Sequence, residues 1–232
     1  KKRGRLLIAE DNEDIRAYMN DGLAKIFDIM LARNGEEALQ MIKDNEPDLV
    51  ITDMMMPVMD GLKLCAHLKQ NITTSHIPVI MLSAKTDSKD ELEALRTGAD
   101  DYMAKPFSMA VLITKIQNML RTQYRLQDKM TKSMEISPEK ISFNAMDEQI
   151  LNKAIRIVEQ NLDNAEFSTE EFAREMNMSR SNLHLKLKAL TGESALDFIR
   201  KIRFKEACRL LKDGRYSVSE ISDMVGFNTP SY

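Results

Sequence analysis

Two cysteines in 232 residues, Cys65 and Cys208, exclude a disulfide scaffold. Both fall in helix-like stretches, as expected of reduced thiols in a cytosolic compartment. No apolar run approaches the roughly 20 residues that span a bilayer. The start Lys1-Lys2-Arg3-Gly4-Arg5 followed by Leu6-Leu7-Ile8 imitates a signal peptide, but its apolar part is too short and Glu10 ends it. His67, His76 and His184 show no metal-ligand spacing, and none sits in a kinase-like phosphoacceptor setting. A glycine-rich nucleotide loop is also missing, so these residues are not themselves a kinase. Met54-Met55-Met56 and Met59 have no second soft-ligand cluster to join, which points to loop packing. There is no initiator methionine either, and both ends read as cut from something longer.

What is present is a folding composition, with 43% hydrophobic and 30% charged residues. The length is about 1.5 times a typical domain of ~150 residues, so one or two domains are expected. The net charge of −3 conceals an asymmetry: residues 1–124 carry 16 basic and 19 acidic side chains, residues 179–216 carry 10 and 4. A basic stretch inside an acidic chain suits either a polyanion-binding module or a solvated helix face.

The first half alternates strand-like runs, near 5–9, 28–32, 48–53, 78–82 and 100–104, with helical periodicity such as Ala38, Met41, Ile42 and Leu62, Leu64, Leu68. Asn34-Gly35, Asp60-Gly61 and Thr97-Gly98 punctuate these elements. The pattern predicts an α/β domain with a five-stranded parallel, doubly wound sheet. Four of the runs end in polar residues of different kinds: Glu10-Asp11, Asp53, Ser83 and Lys105-Pro106. The carboxyl ends of parallel strands line one crevice, so these groups should converge there. Three carboxylates, a hydroxyl and an ammonium suit a divalent cation and a phosphoryl group. The last helix of this half, from about Ser108, can run past Arg121 towards Met130. Residues 125–146 mix charge, serine and Pro138 and are read as a linker between a domain at 1–124 and another at 147–232.

From Asp147 onward the pattern is all helical and contains a repeat. Ser168-x-x-Glu171 and Ser217-x-x-Glu220 are two capping boxes, 49 residues apart. In the same register Ala173 matches Ser222, Asn177 matches Gly226, and Ser179 matches Asn228. A small residue, a left-handed turn residue and a helix cap in that order describe a helix-turn-helix, present twice. In the first, Leu183, Leu187 and Leu190 pack inward, leaving Arg180, Ser181, His184, Leu185 and Lys188 on outer faces. A long helix from Ser194 to near Gly214 joins the repeats, with Ile199, Ile202, Leu210 and Leu211 as its apolar side.

Residues 4–124, with Glu10-Asp11, Asp53, Ser83 and Lys105-Pro106 in order and "GADDYMAKPF" at 98–107, resemble a response-regulator receiver domain of flavodoxin-like fold. Residues 147–232, with "SRSNLHLKLKALTG" at 179–192 and "ISDMVGFNTPSY" at 221–232, resemble an AraC-type double helix-turn-helix domain. That order is similar to the C-terminal part of hybrid two-component sensors of the Bacteroides type, and also fits a free-standing response regulator.

For the receiver, the resemblance implies that Asp53 is the phosphoacceptor, served by a histidine kinase domain in cis or in trans. Asp11, Asp53 and the Met55 carbonyl would hold Mg²⁺ directly, with Glu10 acting through water. Lys105 and Ser83 would contact the phosphoryl oxygens, and Tyr102 would turn inward as a switch, besides being a half-buried strand aromatic. Met55 and Lys85, two residues after Asp53 and Ser83, offer no acceptor to an attacking water, so self-dephosphorylation should be slow. For the output domain, Ser181, His184 and Leu185 would face base edges of double-stranded DNA, and Arg180 and Lys188 its phosphates. A homodimer and contact with RNA polymerase are compatible with this reading; contact with a membrane is not part of it. The alternative is a phosphoryl sink or relay within a hybrid histidine kinase. The chain stops one turn into its second recognition helix. The fragment should therefore bind DNA weakly and with little sequence preference, on the order of 10⁻⁴–10⁻⁶ M.

Overall fold

Apolar runs without polar alternation imply strands buried on both faces; the computed structural model largely buries those at 5–9, 49–53 and 79–83 in this way and leaves those at 28–32 and 101–104 partly exposed. It describes residues 3–84, 88–132, 138 and 144–227. The chain divides into two units, 1–123 and 124–232.

In the first unit the strands are β1 (Arg5–Ala9), β2 (Asp28–Ala32), β3 (Leu49–Asp53), β4 (Val79–Ser83) and β5 (Asp101–Ala104). They form one parallel sheet in the order β2-β1-β3-β4-β5. Period-two alternation assigns each residue to a face. Leu7, Ala9, Val50, Val79 and Met81 pack beneath α2 (Gly35–Asp44), α3 (Gly61–Gln70) and α4 (Ser88–Thr97). Leu6, Ile8, Leu49, Ile51, Ile80 and Leu82 pack against α1 (Glu13–Leu23) and α5 (Met109–Lys132). A slip of one residue would exchange the two faces, so packing against two dissimilar helix layers holds the register.

Local chemistry starts the helices where the sequence predicts. Asn34 and Asp60 cap α2 and α3, their side chains accepting from the amides of Glu37 and Lys63. Gly61 follows Asp60 because a Cβ there would stand 2.1 Å from the Asp53 carbonyl oxygen. That close approach sets the start of α3 directly against the end of β3. Helix α5 continues to Lys132, through the first part of the segment expected to be linker.

The second unit holds α6 (Ala145–Gln160), α7 (Thr169–Met176), α8 (Arg180–Thr191), α9 (Ala195–Asp213) and α10 (Val218–Met224). Both capping boxes form, Ser168 with Glu171 and Ser217 with Glu220. Both following turns close in the same way. Met178 and Phe227 donate backbone N–H bonds to the carbonyls of Ala173 and Ser222, each 2.9 Å. Asn177 and Gly226 supply the left-handed residues, at φ 59° and 65°. The repeat is therefore a repeat of hydrogen bonds as well as of letters. One expectation is corrected: Leu211 is half exposed, whereas Phe198, Ile199, Ile202, Ala207 and Leu210 are buried. One step past Leu210 turns a helical side chain by about 100°, which carries Leu211 off the inner stripe.

Val58, in the loop after β3, has φ 68° and is 71% exposed. A β-branched residue gains nothing from that left-handed conformation and has little burial to offset it. Val58→Asn should raise stability by about 0.5–1 kcal/mol. The denaturant midpoint checks this; an unchanged or lower midpoint contradicts it.

Candidate functional site

The order β2-β1-β3 reverses the winding between β1 and β3, and the crevice at their carboxyl ends is where the acidic residues gather. Glu10 follows β1 and is fully buried, Asp11 beside it is exposed, and Asp53 closes β3 at 9% exposure. One carboxylate oxygen of each lies within 4.8 Å of the others. Lys105, just past β5, reaches over with its Nζ 2.7 Å from Glu10 Oε2 and 2.9 Å from Asp53 Oδ2. The Lys105–Pro106 peptide is cis.

Neighbours hold these groups in place. The Lys105 amide donates to the Ser83 carbonyl at 2.7 Å, bringing the buried Ser83 to the same end of the sheet. Arg16, one turn into α1, donates to the Glu10 and Asp11 carbonyls at 2.8 and 3.2 Å. Asn12 caps α1 and donates its amide to Glu10 Oε1 at 3.3 Å. Arg16 and Asn12 were not singled out in the sequence. The cap position of Asn12 was a usable signal, but a backbone contact by an arginine leaves no mark in spacing.

The charges explain the protonation balance. Burial lifts the pKa of Glu10 and the charge of Asp53 adds to it, against the hydrogen bonds from Lys105 and Asn12. Burial alone would push the Lys105 ammonium down, but its bonds to Asp53 and Glu10 outweigh that and hold it above the ordinary lysine value. The result is a carboxylate pair with one fixed cation, open to solvent on the Asp11 side. Hard oxygen donors at this separation suit a hydrated divalent cation.

Around the pocket, Met54 and Met56 are buried in the core while Met55 is 73% exposed beside Asp53. Tyr102 is half-buried and packs on the face of the sheet shared by α2, α3 and α4. Lys85 lies outside the described residues.

In the second unit Leu183, Leu187 and Leu190 are buried and Arg180, Ser181, Leu185 and Lys188 exposed, with His184 between. Arg180, Ser181, His184 and Leu185 line one groove of about 600 Å³, together with Thr169 and the start of α9, Ser194-Ala195-Leu196. Lys188 is not among the lining residues. Arg180 also pairs with Glu170 at 2.5 Å.

Two cations behave otherwise than the local net charge suggests. Lys186 is buried at 1% exposure and pairs with Asp147 at 2.7 Å, joining α8 to α6. Arg203 is buried at 7%. Neither charge is available to a partner. For Lys186 the signal was present, since it lies three residues after Leu183 and four before Leu190, on the inner stripe. Asn228, Thr229, Pro230, Ser231 and Tyr232, on which the second recognition helix was read, lie outside the described residues.

Residues 6–117 match the family model for the response regulator receiver domain, and residues 172–232 that for a helix-turn-helix domain. Histidine kinase P4 of Formosa agariphila is 38% identical over all 232 residues, which make up 17% of that protein. The transcriptional regulatory protein YrkP of Bacillus subtilis is 36% identical over 126 residues, 54% of this chain and 53% of that one. A candidate response regulator from Chloroflexus aurantiacus, solved as a crystal structure, superimposes with a TM-score of 0.50 at 35% identity, over 52% of this chain and 99% of its own. The chain thus spans about half or less of these two curated relatives. The families it matches are regulatory, and no helix among the described residues is long and apolar enough to cross a membrane.

Because the Glu10 pKa is raised on folding, ionising Glu10 costs stability once the pH is above its folded value. Glu10→Gln should therefore raise the melting temperature at pH 7 by a few degrees. The gain should vanish below about pH 4.5, the unfolded value, where Glu10 is protonated in folded and unfolded chains alike. Thermal melts across this range check it, and destabilisation at pH 7 would show that pairing with Lys105 outweighs burial.

Proposed function

We propose that this chain, which belongs to the response-regulator family through its receiver domain and continues into an AraC-type helix-turn-helix domain, accepts a phosphoryl group on Asp53 and so controls sequence-specific DNA binding and transcription. The observation that carries the reading is the convergence of Glu10, Asp11, Asp53 and Lys105 at the point where the sheet reverses its winding.

A carboxylate oxygen of Asp53 forms the new P–O bond as the P–N bond to a donor histidine breaks, its electron pair leaving on the imidazole. Lys105, already poised on Asp53, follows the charge onto a phosphoryl oxygen, and Ser83 donates its hydroxyl to another. Asp11, Asp53 and the Met55 carbonyl would hold Mg²⁺, with Glu10 reaching it through water. A bound Mg²⁺ supplies neutralisation of the charge spread over the phosphoryl oxygens. The inward pull on Ser83 and a turn of Tyr102 carry the change to the surface around α4 and α5.

On the output side, Ser181, His184 and Leu185 face base edges and Arg180 and Lys188 phosphates. Leu185 can meet a thymine methyl but cannot make the bidentate guanine contact of an arginine. Partners are a histidine kinase domain and double-stranded DNA, with a homodimer and RNA polymerase as further ones, in the cytoplasm. Similarity along the whole chain to a histidine kinase favours a second reading, a phosphoryl relay inside a hybrid kinase.

Incubation with acetyl phosphate and Mg²⁺ should add one hydroxylamine-labile phosphate, and Asp53→Asn should abolish it. Phosphate on Ser83 or on a histidine would overturn the mechanism. In the same assay the acyl phosphate should be long-lived, because Met55 cannot orient water. Met55→Glu should shorten its lifetime by roughly tenfold, the worth of one hydrogen bond of about 1.4 kcal/mol in the transition state. An unchanged lifetime would remove Met55 from the explanation.

A further inference from the structure

The output unit has two hydrophobic cores rather than one. The first gathers α6, α7, α8 and the start of α9, and its last member on α9 is Ile202. The second is small, with Ala207 and Leu210 of α9 against Ile221 and Val225, and Phe227 packed at its edge. Between them on α9 stands Arg203. Its Nη2 donates to the Asn164 carbonyl at 2.5 Å, in the loop after α6, and its Nη1 to the Gly226 carbonyl at 3.0 Å, in the turn after α10. One planar group therefore grips the loop that leads into the first helix-turn-helix and the turn inside the second. The grip is close: a Cβ on Gly226 would stand 2.5 Å from the Leu162 carbonyl oxygen and 3.1 Å from the guanidinium.

The pairing is unusual in kind. Both acceptors are neutral carbonyls, and no carboxylate among the described residues pairs with Arg203, while its Nε has no hydrogen-bond partner. Burying a cation this way is a poor route to stability, since desolvation is not repaid by an opposite charge. It is an effective route to geometry. A guanidinium presents donors in a rigid fork, so two carbonyls bound to it are fixed in separation and direction, which a flexible ammonium cannot do. A core as small as the second would not by itself hold one orientation against the first.

We propose that Arg203 is the positioning residue that locks the second helix-turn-helix unit to the first and thereby sets the DNA spacing the protein accepts. The inference rests on the reading of both units as DNA readers. Two recognition helices must lie about one DNA turn, ~34 Å, apart to enter successive major grooves. With the lock intact, a site whose halves are displaced by half a turn is refused; without it, both spacings are tolerated.

The test uses the full-length protein with Cys65→Ala and Cys208→Ser, spin-labelled at Asn182→Cys and Ser219→Cys, both exposed positions. Pulsed dipolar spectroscopy should give one narrow distance in the parent and a broad distribution in Arg203→Met. Gly226→Ala, which attacks the junction from the other side, should broaden it too. Arg203→Lys keeps the charge and loses the fork, and it should broaden the distribution with helix content unchanged. Arg203→Met or Arg203→Lys with a distribution as narrow as the parent's would overturn the proposal. Duplexes selected by the parent from a random pool, then lengthened by about 5 base pairs between the half-sites, give the second readout. The parent should lose at least tenfold in affinity and Arg203→Lys less than threefold; equal losses would overturn the link to spacing. Failure of the parent to bind any duplex would refute DNA reading, while the distance measurement still decides the lock.

Discussion

One ammonium between two buried carboxylates governs the receiver. Glu10 and Asp53 stand at the ends of adjacent strands, and parallel pairing leaves them no room to part. Lys105 is what lets that crevice exist with both groups near water-poor surroundings. The same contact makes the pocket responsive. Any group that takes over part of Lys105's attention, or adds charge at Asp53, changes the balance for every neighbour held through it. Ser83 is tied to the Lys105 backbone, and Arg16 and Asn12 to the Glu10 turn, so these groups share one electrostatic centre.

The second unit solves a different problem, how to present short helices of fixed orientation. Capping works there beside burial. The two capping boxes and the two matching left-handed turns satisfy polar groups at helix ends, at roughly 0.5–2 kcal/mol per cap. Buried cations then join the pieces: Lys186 ties the recognition helix α8 to α6, and Arg203 bridges the two cores.

Much of this was legible in the sequence because it is written in local rules. Unbroken apolar runs ending in Glu10, Asp53, Ser83 and Lys105 told both the sheet and the pocket, since parallel topology brings strand ends together whatever lies between. Serine and glutamate three apart told both helix starts, and Asn177 and Gly226 both turns. The remainder depends on rotation and on distant partners. Lys186, Arg203 and Lys201 all fall within the basic count of 179–216, yet the first two are buried and Lys201 pairs with Glu193 at 2.8 Å. Charge counts carry no orientation, and the partner of Lys186 lies 39 residues away. Leu211 was misplaced because its neighbour Leu210 fills the inner stripe. Met55, flanked by two buried methionines, turns outward because the backbone changes course at the end of β3.

If Asp53 is the control point, charge placed there must reach the DNA-binding unit. The direct measurement is a titration of the full-length protein, with and without beryllium trifluoride and Mg²⁺ as a stable phosphoryl mimic, against a duplex it selects. Adding the mimic should change the affinity at least tenfold, and should change nothing in Asp53→Asn. Equal affinity with and without the mimic, in a protein whose pocket demonstrably binds it, would contradict it.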